Sequence, residues 1–319
     1  MYNLDDCHER AIGWHATIHY LVKLFPMKVK GLIKYAETIM IAEAPIDLQD
    51  TVTIRGNVEM PWMGFGTYKI SEGSEVVNSV KWALEAGYRS IDTAALYENV
   101  EGVGKAIKES GVSRSDIFLT SKVWNSDQGY DNTIKAFNTS LKKLGTDYLD
   151  LYLIHWPVVG KYKETWHAME NLHKEGKIRT IGVSNFMVHH LQDLMSYASV
   201  YPAVDQVEFH PYLQLPELQV FCQENQIRLE AWSPIMKGKV TEIPELIEIG
   251  KKYDKTPVQV TLRWEQQKGV VVIPKSVHKE RIQENARIFD FDLTEDEIKG
   301  IDALDKHERL GQDPDHFDF

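Results

Sequence analysis

From about residue 50 onward, short apolar strands alternate with helical segments, and this repeat constrains the fold more than any other feature. Eight predicted strands follow one another, in the segments MGFGT, RSIDT, DIFLTSKVW, DYLDLYLIH, IRTIGVSN, AVDQVEF, IRLEAW and VVVIP. Glycine comes just before several of them, as in EAGYRSID, KEGKIRTIG and QKGVVVI, where it would end the preceding helix. In the last helical segment, TEDEIKGIDAL, Thr294 is a natural N-cap before acidic residues of the first turn. Eight strand–helix units over about 250 residues are typical of a (β/α)8 barrel, the TIM barrel.

Two observations at the start of the repeat support this fold class. The segment TVTIRGNVEM predicts an N-terminal β-hairpin with Gly56 and Asn57 at its turn. The rival α/β fold, a doubly wound dinucleotide-binding sheet, needs a Gly-x-Gly-x-x-Gly sequence after its first strand. The nearest candidates, GFGTYK and GVGKAI, both lack the third glycine. We therefore predict a barrel over residues 50–319.

Residues 1–49 differ from the rest of the chain, and we treat them as a short N-terminal extension. Apolar residues recur at helical spacing on both sides of Pro26, which would suit two amphipathic helices docked on the barrel or on a membrane surface. We favour the simpler interpretation of a poorly ordered or non-native upstream segment, with translation starting at or near Met40. Cys7 and the nearby histidines lack a further ligand pair, so no metal site is predicted.

The composition excludes several classes of partner. The formal net charge is −11, and an acidic chain binds the phosphate backbone of nucleic acids poorly. Cys7 and Cys222 lie far apart and follow no metal-ligand spacing, which disfavours a disulfide and fits a reducing cytoplasm. No apolar run approaches the roughly 18 residues of a membrane span. We therefore expect a cytoplasmic protein that acts on a small molecule.

Polar and aromatic residues stand where the predicted strands end, which is where barrels place their catalytic groups. In chain order they are Asp92, Tyr97, Lys122, Trp124, His155, Trp156, Ser184, Asn185, Gln206, Trp232, Ser233, Lys275 and Ser276. Any one of them alone would be interpreted as a cap, a surface residue or a hydrogen-bonded core residue. Together at one rim of a barrel, they predict a functional site.

Four of these residues suit the donation of a proton to a carbonyl that becomes an alkoxide. Tyr97 holds its proton at neutral pH, because the pKa of a free tyrosine is about 10. The ammonium of Lys122 would stabilise the phenolate and lower that pKa, which makes Tyr97 a usable general acid. Asp92 would keep the lysine charged, and His155 would orient the carbonyl oxygen.

Reduction of a carbonyl also needs a hydride, which side chains cannot supply, so the site needs a cofactor. Groups suited to a carboxamide follow the fifth and sixth strands, namely Ser184, Asn185 and Gln206. Trp232 offers a face on which a nicotinamide ring could stack. Basic and hydroxyl groups follow the last strand, where barrels often bind phosphates, namely Lys275, Ser276 and Arg281. The two cations suit a 2′-phosphate, which favours NADPH over NADH.

The chain from about residue 50 to its end resembles the aldo-keto reductases, especially the bacterial branch related to 2,5-diketo-gluconate, glyoxal and methylglyoxal reductases. The resemblance covers all eight units and rests on the motifs GYRSIDTAALY, FLTSKVWN, DLYLIHWP, GVSNF, QVEFHP, EAWSP and IPKSVHKERIQEN. It implies a monomeric TIM barrel that binds NADPH in an extended form. It also implies reduction of aldehydes or ketones to alcohols, with small carbonyls such as methylglyoxal, glyoxal or keto-sugars as substrates.

The resemblance implies roles for individual residues. Tyr97 would be the general acid, with Asp92, Lys122 and His155 completing a catalytic tetrad. The implied cofactor site is lined by Gly66, Thr67, Tyr68, Asp92, Ser184, Asn185, Gln206, Trp232, Ser233, Ile235, Lys275, Ser276, Val277, Arg281, Glu284 and Asn285. The implied substrate pocket is formed by Tyr68, Tyr97, Trp124, His155 and Trp156.

Two positions depart from the family pattern. Val100, three residues after Tyr97, stands where the family usually has a glutamate. Asp205 stands where many relatives have an asparagine before the cofactor-binding glutamine. We expect neither residue to abolish the chemistry, although Asp205 could weaken the positioning of the Gln206 amide.

Two other functions remain open from the sequence. A barrel of this family could bind NADPH as a regulatory or structural protein with little turnover, and the intact tetrad argues against this. Lys122 could form a Schiff base with a substrate, as in barrel lyases, and the paired tyrosine and histidine disfavour it. Substrate specificity depends on the shape of the loops around Tyr68, Trp124, Trp156 and the C-terminal segment DPDHFDF.

Overall fold

The computed structural model describes residues 44–317. Its strands are β1 (Thr51–Ile54), β2 (Val58–Pro61), β3 (Phe65–Gly66), β4 (Ser90–Asp92), β5 (Phe118–Val123), β6 (Leu149–Ile154), β7 (Ile178–Ser184), β8 (Val204–Glu208), β9 (Arg228–Trp232) and β10 (Val271–Val272). Its helices are α1 (Ser74–Glu85), α2 (Val100–Ser110), α3 (Tyr130–Leu144), α4 (Tyr162–Lys174), α5 (Val188–Met195), α6 (Pro216–Glu224), α7 (Pro244–Tyr253), α8 (Pro257–Gln267), α9 (Lys279–Asn285) and α10 (Glu295–Asp302). The helices predicted before Met40, and that possible start site, lie outside the described residues.

Strands β3 to β10 form one parallel sheet in chain order, and the sheet closes on itself. A parallel bridge joins Met63, just before β3, to Val272 of β10, and the amide of Gly66 donates to the carbonyl of Pro274 at 3.2 Å. A Cβ atom on Gly66 would lie only 2.8 Å from the Ile273 carbonyl oxygen, so glycine permits this close approach. The predicted (β/α)8 barrel is confirmed.

Glycine and threonine set helix ends where the sequence predicts them. Gly87, Gly176 and Gly269 have φ angles of +104°, +76° and +75°, a backbone region that only glycine enters without strain, and each follows a helix. The hydroxyl of Thr294 accepts a hydrogen bond from the Glu297 amide at 3.3 Å, which makes it the predicted N-cap of α10. None of the helices in the described part of the chain combines the length and apolar character needed to cross a bilayer.

The predicted N-terminal hairpin is also confirmed, and it covers one end of the barrel. Strands β1 and β2 pair antiparallel, with Ile54 opposite Val58. Apolar side chains of the hairpin pack in one cluster with Phe118, Val204 and Val271, which lie at or near the amino ends of their strands. The amino-terminal end of the barrel is thereby filled with apolar side chains, so a polar site must lie at the other end.

Strand alternation explains how β5 delivers a charged residue to the interior. Successive side chains on a strand point to opposite faces. Leu119 and Val123 of β5 face the helices in the larger core cluster, whereas Phe118 faces the interior under the hairpin. Lys122 lies four residues after Phe118, so its side chain also enters the barrel, where it is fully buried.

Candidate active site

The four residues of the predicted tetrad meet at the carboxyl-terminal end of the barrel strands. The Lys122 ammonium donates to both carboxylate oxygens of Asp92, at 2.6 and 2.8 Å. It also donates to the Tyr97 hydroxyl at 3.1 Å and to the Thr93 carbonyl at 3.2 Å. The His155 ring lies 5.8 Å from the Tyr97 ring, centroid to centroid, in an edge-on arrangement. One buried ammonium therefore joins the tyrosine to the aspartate.

The environment of Lys122 keeps its amine protonated. Burial is the largest influence and would lower the pKa of this lysine, but the Asp92 carboxylate and the Tyr97 hydroxyl together outweigh it, and the pKa is raised. A Schiff base requires a neutral, accessible amine. Lys122 offers a charged amine that is fully buried and hydrogen-bonded, so the lyase alternative has no support in this geometry.

The direction of the Tyr97 pKa shift differs from the expected one. Burial raises the pKa of Tyr97 to about 12, and the positive charge of Lys122 lowers it only in part. Asp92 reduces the effect of Lys122 because its negative charge opposes formation of the phenolate. The expectation of a lowered pKa was therefore wrong. Tyr97 holds its proton firmly, and the structure shows no acceptor for that proton among residues 44–317.

His155 is uncharged at neutral pH. Burial lowers the pKa of its imidazole well below the usual value, and the positive charge of Lys122 lowers it further. Its ring also packs against aromatic rings on two sides, and these rings form a wall at the rim of the site. The Trp124 ring lies 5.0 Å from His155, and the Tyr68 ring lies 5.0 Å from Tyr97. Four of the five predicted substrate-pocket residues thus line one continuous surface.

The fifth predicted pocket residue, Trp156, lies under the C-terminal segment. Its ring stacks on the Phe317 ring at 4.9 Å. The chain just before this segment is held by the buried carboxylate of Glu208, which accepts hydrogen bonds from the Leu310 and Gly311 amides at 2.6 and 3.1 Å. Glu208 was not predicted as a site residue. The available signal for it was a glutamate near the end of the predicted strand segment AVDQVEF.

Ser184, Asn185 and Trp232 form a hydrogen-bonded group beside the tetrad. The Asn185 amide donates to the Ser184 hydroxyl at 3.1 Å and to the His155 carbonyl at 2.9 Å. Its oxygen accepts from the Trp232 indole at 2.9 Å. The Ser184 hydroxyl in turn donates to the Gln206 carbonyl at 2.7 Å. The predicted carboxamide groups and the predicted stacking tryptophan are therefore brought together.

Gln206 connects the tetrad to a residue that the sequence analysis missed. Its side-chain nitrogen donates to Asp92 Oδ2 at 2.8 Å and to Glu230 Oε2 at 2.7 Å. Glu230 is fully buried in β9, directly opposite Gln206 of β8. The signal was present in the sequence as a charged residue inside the otherwise apolar strand segment LEAW.

Asp205 does not act on Gln206 in the way the sequence suggested. The two residues are adjacent on β8, so their side chains point to opposite faces of the sheet. The Asp205 carboxyl instead accepts a hydrogen bond from the Phe186 amide at 3.4 Å, and its second oxygen has no described partner. Burial raises the pKa of Asp205 well above its usual value. Asp205 therefore acts on the backbone of the segment that follows β7, through its hydrogen bond from the Phe186 amide.

We expect Asp205→Asn to stabilise the protein by about 1–3 kcal/mol at neutral pH, because an amide can be buried without the cost of neutralising a charge. The Asp205 pKa is higher in the folded than in the unfolded chain. The wild-type protein therefore loses stability as the pH rises above the unfolded pKa of about 3.9. The gain from Asp205→Asn should therefore be small at pH 4 and should grow toward pH 7 in thermal unfolding. Equal gains at both pH values would contradict it, and Asp205→Ala should destabilise.

Val100, which departs from the family pattern, is a residue of the hydrophobic core. Val100 is 3% exposed and belongs to the main hydrophobic cluster. Its neighbour Asn99 positions the loop that carries Tyr97, since its amide donates to the carbonyls of Thr67 and Ile70 at 2.8 and 2.9 Å. Val100 therefore contributes packing and leaves the tyrosine loop intact.

The remaining predicted cofactor residues lie after β3, β9 and β10, at the same end of the barrel. They are Gly66, Thr67, Ser233, Ile235, Lys275, Ser276, Val277, Arg281, Glu284 and Asn285. Burial lowers the pKa of Lys275, the nearby Glu75 carboxylate raises it, and the like charge of Lys69 lowers it. The Lys275 ammonium therefore has charged neighbours of both signs. Ser276 is already engaged, because its hydroxyl accepts from the His278 amide at 3.1 Å.

One cluster has the composition of a metal site. Ligand atoms of His189, His190 and Asp315 lie within 4.8 Å of one another. However, Nδ1 of His190 accepts a hydrogen bond from the Met187 amide at 3.2 Å. That bond places the ring proton on Nε2, the atom directed toward Asp315. This geometry places the imidazoles of His189 and His190 3.2 and 3.9 Å from the Asp315 carboxylate, and metal binding at His190 would have to move its ring proton.

Comparison with known proteins finds a matching family, similar reductases and a similar solved structure. Residues 62–306 match the family model described as the aldo/keto reductase family. The glyoxal reductase of Bacillus subtilis is 56% identical over 275 residues, which are 86% of this chain and 100% of that protein. The methylglyoxal reductase DkgA of Escherichia coli is 46% identical over 276 residues, 85% of this chain and 97% of that protein. An aldo-keto reductase of Bombyx mori, solved in complex with NADP, superposes with a TM-score of 0.79 at 35% identity over 83% of this chain and 95% of its own.

Proposed function

The chain belongs to the aldo/keto reductase family and is an NADP-dependent oxidoreductase, and from this premise we propose that it reduces small aldehydes and ketones with Tyr97 as the general acid. NADPH, when bound, supplies the hydride. The observation that supports the proposal best is the Lys122 ammonium, which hydrogen-bonds both Asp92 and the Tyr97 hydroxyl. The intact hydrogen-bonded set also disfavours a barrel that only binds cofactor.

The four residues divide the proton chemistry among them. Neutral His155 can donate a ring hydrogen to the carbonyl oxygen without competing as an acid. Tyr97 then gives its proton to the developing alkoxide. That transfer is favourable even with a tyrosine pKa of about 12, because an alkoxide is a much stronger base than a phenolate. Lys122, held by Asp92, stabilises the phenolate that remains.

The residues present fit an NADP cofactor at two separate places. Gln206 has a side-chain oxygen to which no described residue donates, and the Trp232 ring is partly exposed nearby. At the other place, Lys275 has Lys69 as well as Glu75 as charged neighbours, and both ammonium groups would gain from a bound phosphate. We assign the first place to the nicotinamide carboxamide and the second, together with Arg281, to the phosphates.

We expect Arg281→Ala to weaken NADPH binding about tenfold while leaving NADH binding within twofold. A charge-assisted hydrogen bond to a phosphate is worth about 1.5–3 kcal/mol, and NADH lacks the 2′-phosphate. Protein fluorescence titration with each cofactor measures both dissociation constants. The exposed Arg287, two residues after α9, gives the matched control Arg287→Ala. A parallel loss of affinity for NADH would contradict the assignment.

We propose small, polar α-dicarbonyls such as methylglyoxal and glyoxal, or keto-sugars, as substrates. The support is the similarity to proteins named glyoxal reductase and methylglyoxal reductase, together with the aromatic wall that includes Tyr68, Trp124 and His155. A panel of carbonyl compounds ranked by kcat/KM tests it. The proposal requires α-dicarbonyls or keto-sugars to rank above large aromatic aldehydes.

A further inference from the structure

Glu230 is a buried carboxyl without an evident structural reason. It is fully buried in the middle of β9, and its only described hydrogen-bond partner is the Gln206 side chain. Its other oxygen, Oε1, has no partner among residues 44–317. Burying a carboxyl group is costly, and an apolar residue in its place would cost less. A function for Glu230 must therefore act through Gln206.

The hydrogen bonds of Gln206 use the whole donor capacity of its amide. A primary amide nitrogen carries two hydrogens. One is donated to Asp92 Oδ2 at 2.8 Å and the other to Glu230 Oε2 at 2.7 Å. Two acceptors on either side of one nitrogen fix the plane of the amide as well as its direction. The carbonyl oxygen is left as the one group that Gln206 can offer to a ligand.

The opposite orientation of the amide is excluded by charge. Both carboxyl oxygens of Asp92 accept hydrogen bonds from the Lys122 ammonium, at 2.6 and 2.8 Å. A flipped amide would place the carbonyl oxygen of Gln206 against that carboxylate, acceptor against acceptor. Burial and the nearby Asp92 raise the pKa of Glu230 to about 8, and Oε2 can accept from the Gln206 amide whether or not Glu230 is protonated.

We propose that Glu230 is a positioning residue that locks the Gln206 amide with its carbonyl oxygen free to accept a hydrogen bond from the amino group of the nicotinamide carboxamide. Asp92 fixes one hydrogen of the amide, and Glu230 fixes the second and thereby the amide plane. The inference rests on the proposed cofactor site and adds to it a residue that contacts neither cofactor nor substrate. Glu230 thus controls recognition of one chemical group, the carboxamide N–H2.

A binding experiment isolates that group. The full-length protein is titrated with NADPH and with the reduced 3-acetylpyridine analogue of NADPH, which has a methyl ketone in place of the carboxamide and so lacks the N–H2 group. We expect wild-type protein to bind NADPH about fivefold more tightly than the analogue, the range of one net hydrogen bond. Protein fluorescence reports binding without turnover, so the result does not depend on Tyr97.

Four variants separate positioning from general structural damage. Glu230→Met and Glu230→Leu remove the acceptor, and both should reduce the preference for NADPH to less than twofold. Glu230→Gln keeps an acceptor oxygen for the Gln206 amide and should retain the preference. Glu265→Met is the matched control, because Glu265 is another fully buried glutamate with no hydrogen-bond partner on either oxygen among the described residues, and it should retain the preference too.

The outcomes separate the role of Glu230 from the carboxamide assignment of Gln206. If wild-type protein prefers NADPH and both apolar variants at Glu230 keep that preference, the role of Glu230 is wrong while the cofactor site stands. If both cofactors lose affinity equally in these variants, Glu230 supports the fold and does not position Gln206. If wild-type protein shows no preference, the carboxamide assignment of Gln206 is wrong, and the inference is overturned with it.

Discussion

Tyr97→Phe should lower kcat for carbonyl reduction by about 10²–10⁴-fold while leaving the dissociation constant for NADPH unchanged. The substitution removes only the hydroxyl that would protonate the alkoxide. Lys122 keeps its hydrogen bonds to Asp92 and to the Thr93 carbonyl, so no buried charge is left without a partner. The fold and the cofactor site should therefore survive the change.

Steady-state oxidation of NADPH with methylglyoxal measures the effect on kcat, and fluorescence titration measures binding. Tyr152→Phe is the matched control, because it also deletes a buried tyrosine hydroxyl. The Tyr152 hydroxyl, unlike that of Tyr97, receives no hydrogen bond from any described residue. We expect the control to keep kcat within about twofold. If Tyr97→Phe retains more than a tenth of the wild-type kcat, Tyr97 is not the general acid.

Lys122→Met should destabilise the protein by about 3–5 kcal/mol and abolish measurable turnover. The substitution leaves the Asp92 carboxylate buried at 2% exposure without its counter-charge, the costly way to break a buried ion pair. It also removes the cation that stabilises the Tyr97 phenolate. Urea unfolding followed by circular dichroism measures the loss of stability.

The double variant Asp92→Asn/Lys122→Met separates the two roles of the lysine. Replacing both charges removes the unpaired carboxylate, so most of the lost stability should return. Activity should not return, because the phenolate still lacks its cation. A double variant as unstable as the single one would show that Lys122 stabilises the fold through packing of its alkyl chain and not through Asp92.

Much of the site could be predicted from the sequence, because a barrel places the ends of its strands at one rim. Asp92, Lys122 and His155 end three successive strands, and they meet in the structure as predicted. Local signals were equally sufficient for the hairpin turn and for the Thr294 cap. These features depend on residue type and spacing within a few residues, which the sequence displays directly.

The pKa of Tyr97 could not be predicted in this way. Its direction depends on the balance between burial, Lys122 and Asp92, and residue identity gives the charges without the burial. The role of Asp205 was missed for a related reason. Adjacency in sequence suggested an effect on Gln206, whereas strand alternation turns the two side chains to opposite faces.

The sequence by itself determined the barrel, the rim on which the polar residues collect and the four residues of the predicted tetrad, since all follow from a repeated pattern. Only the tertiary structure joined Asp92, Gln206 and Glu230, which come from three strands and span 138 positions of the chain. A hydrogen bond between distant strands depends on register and on side-chain direction inside the closed sheet. Those quantities exist only once the barrel has formed, and they decide how the Gln206 amide is held.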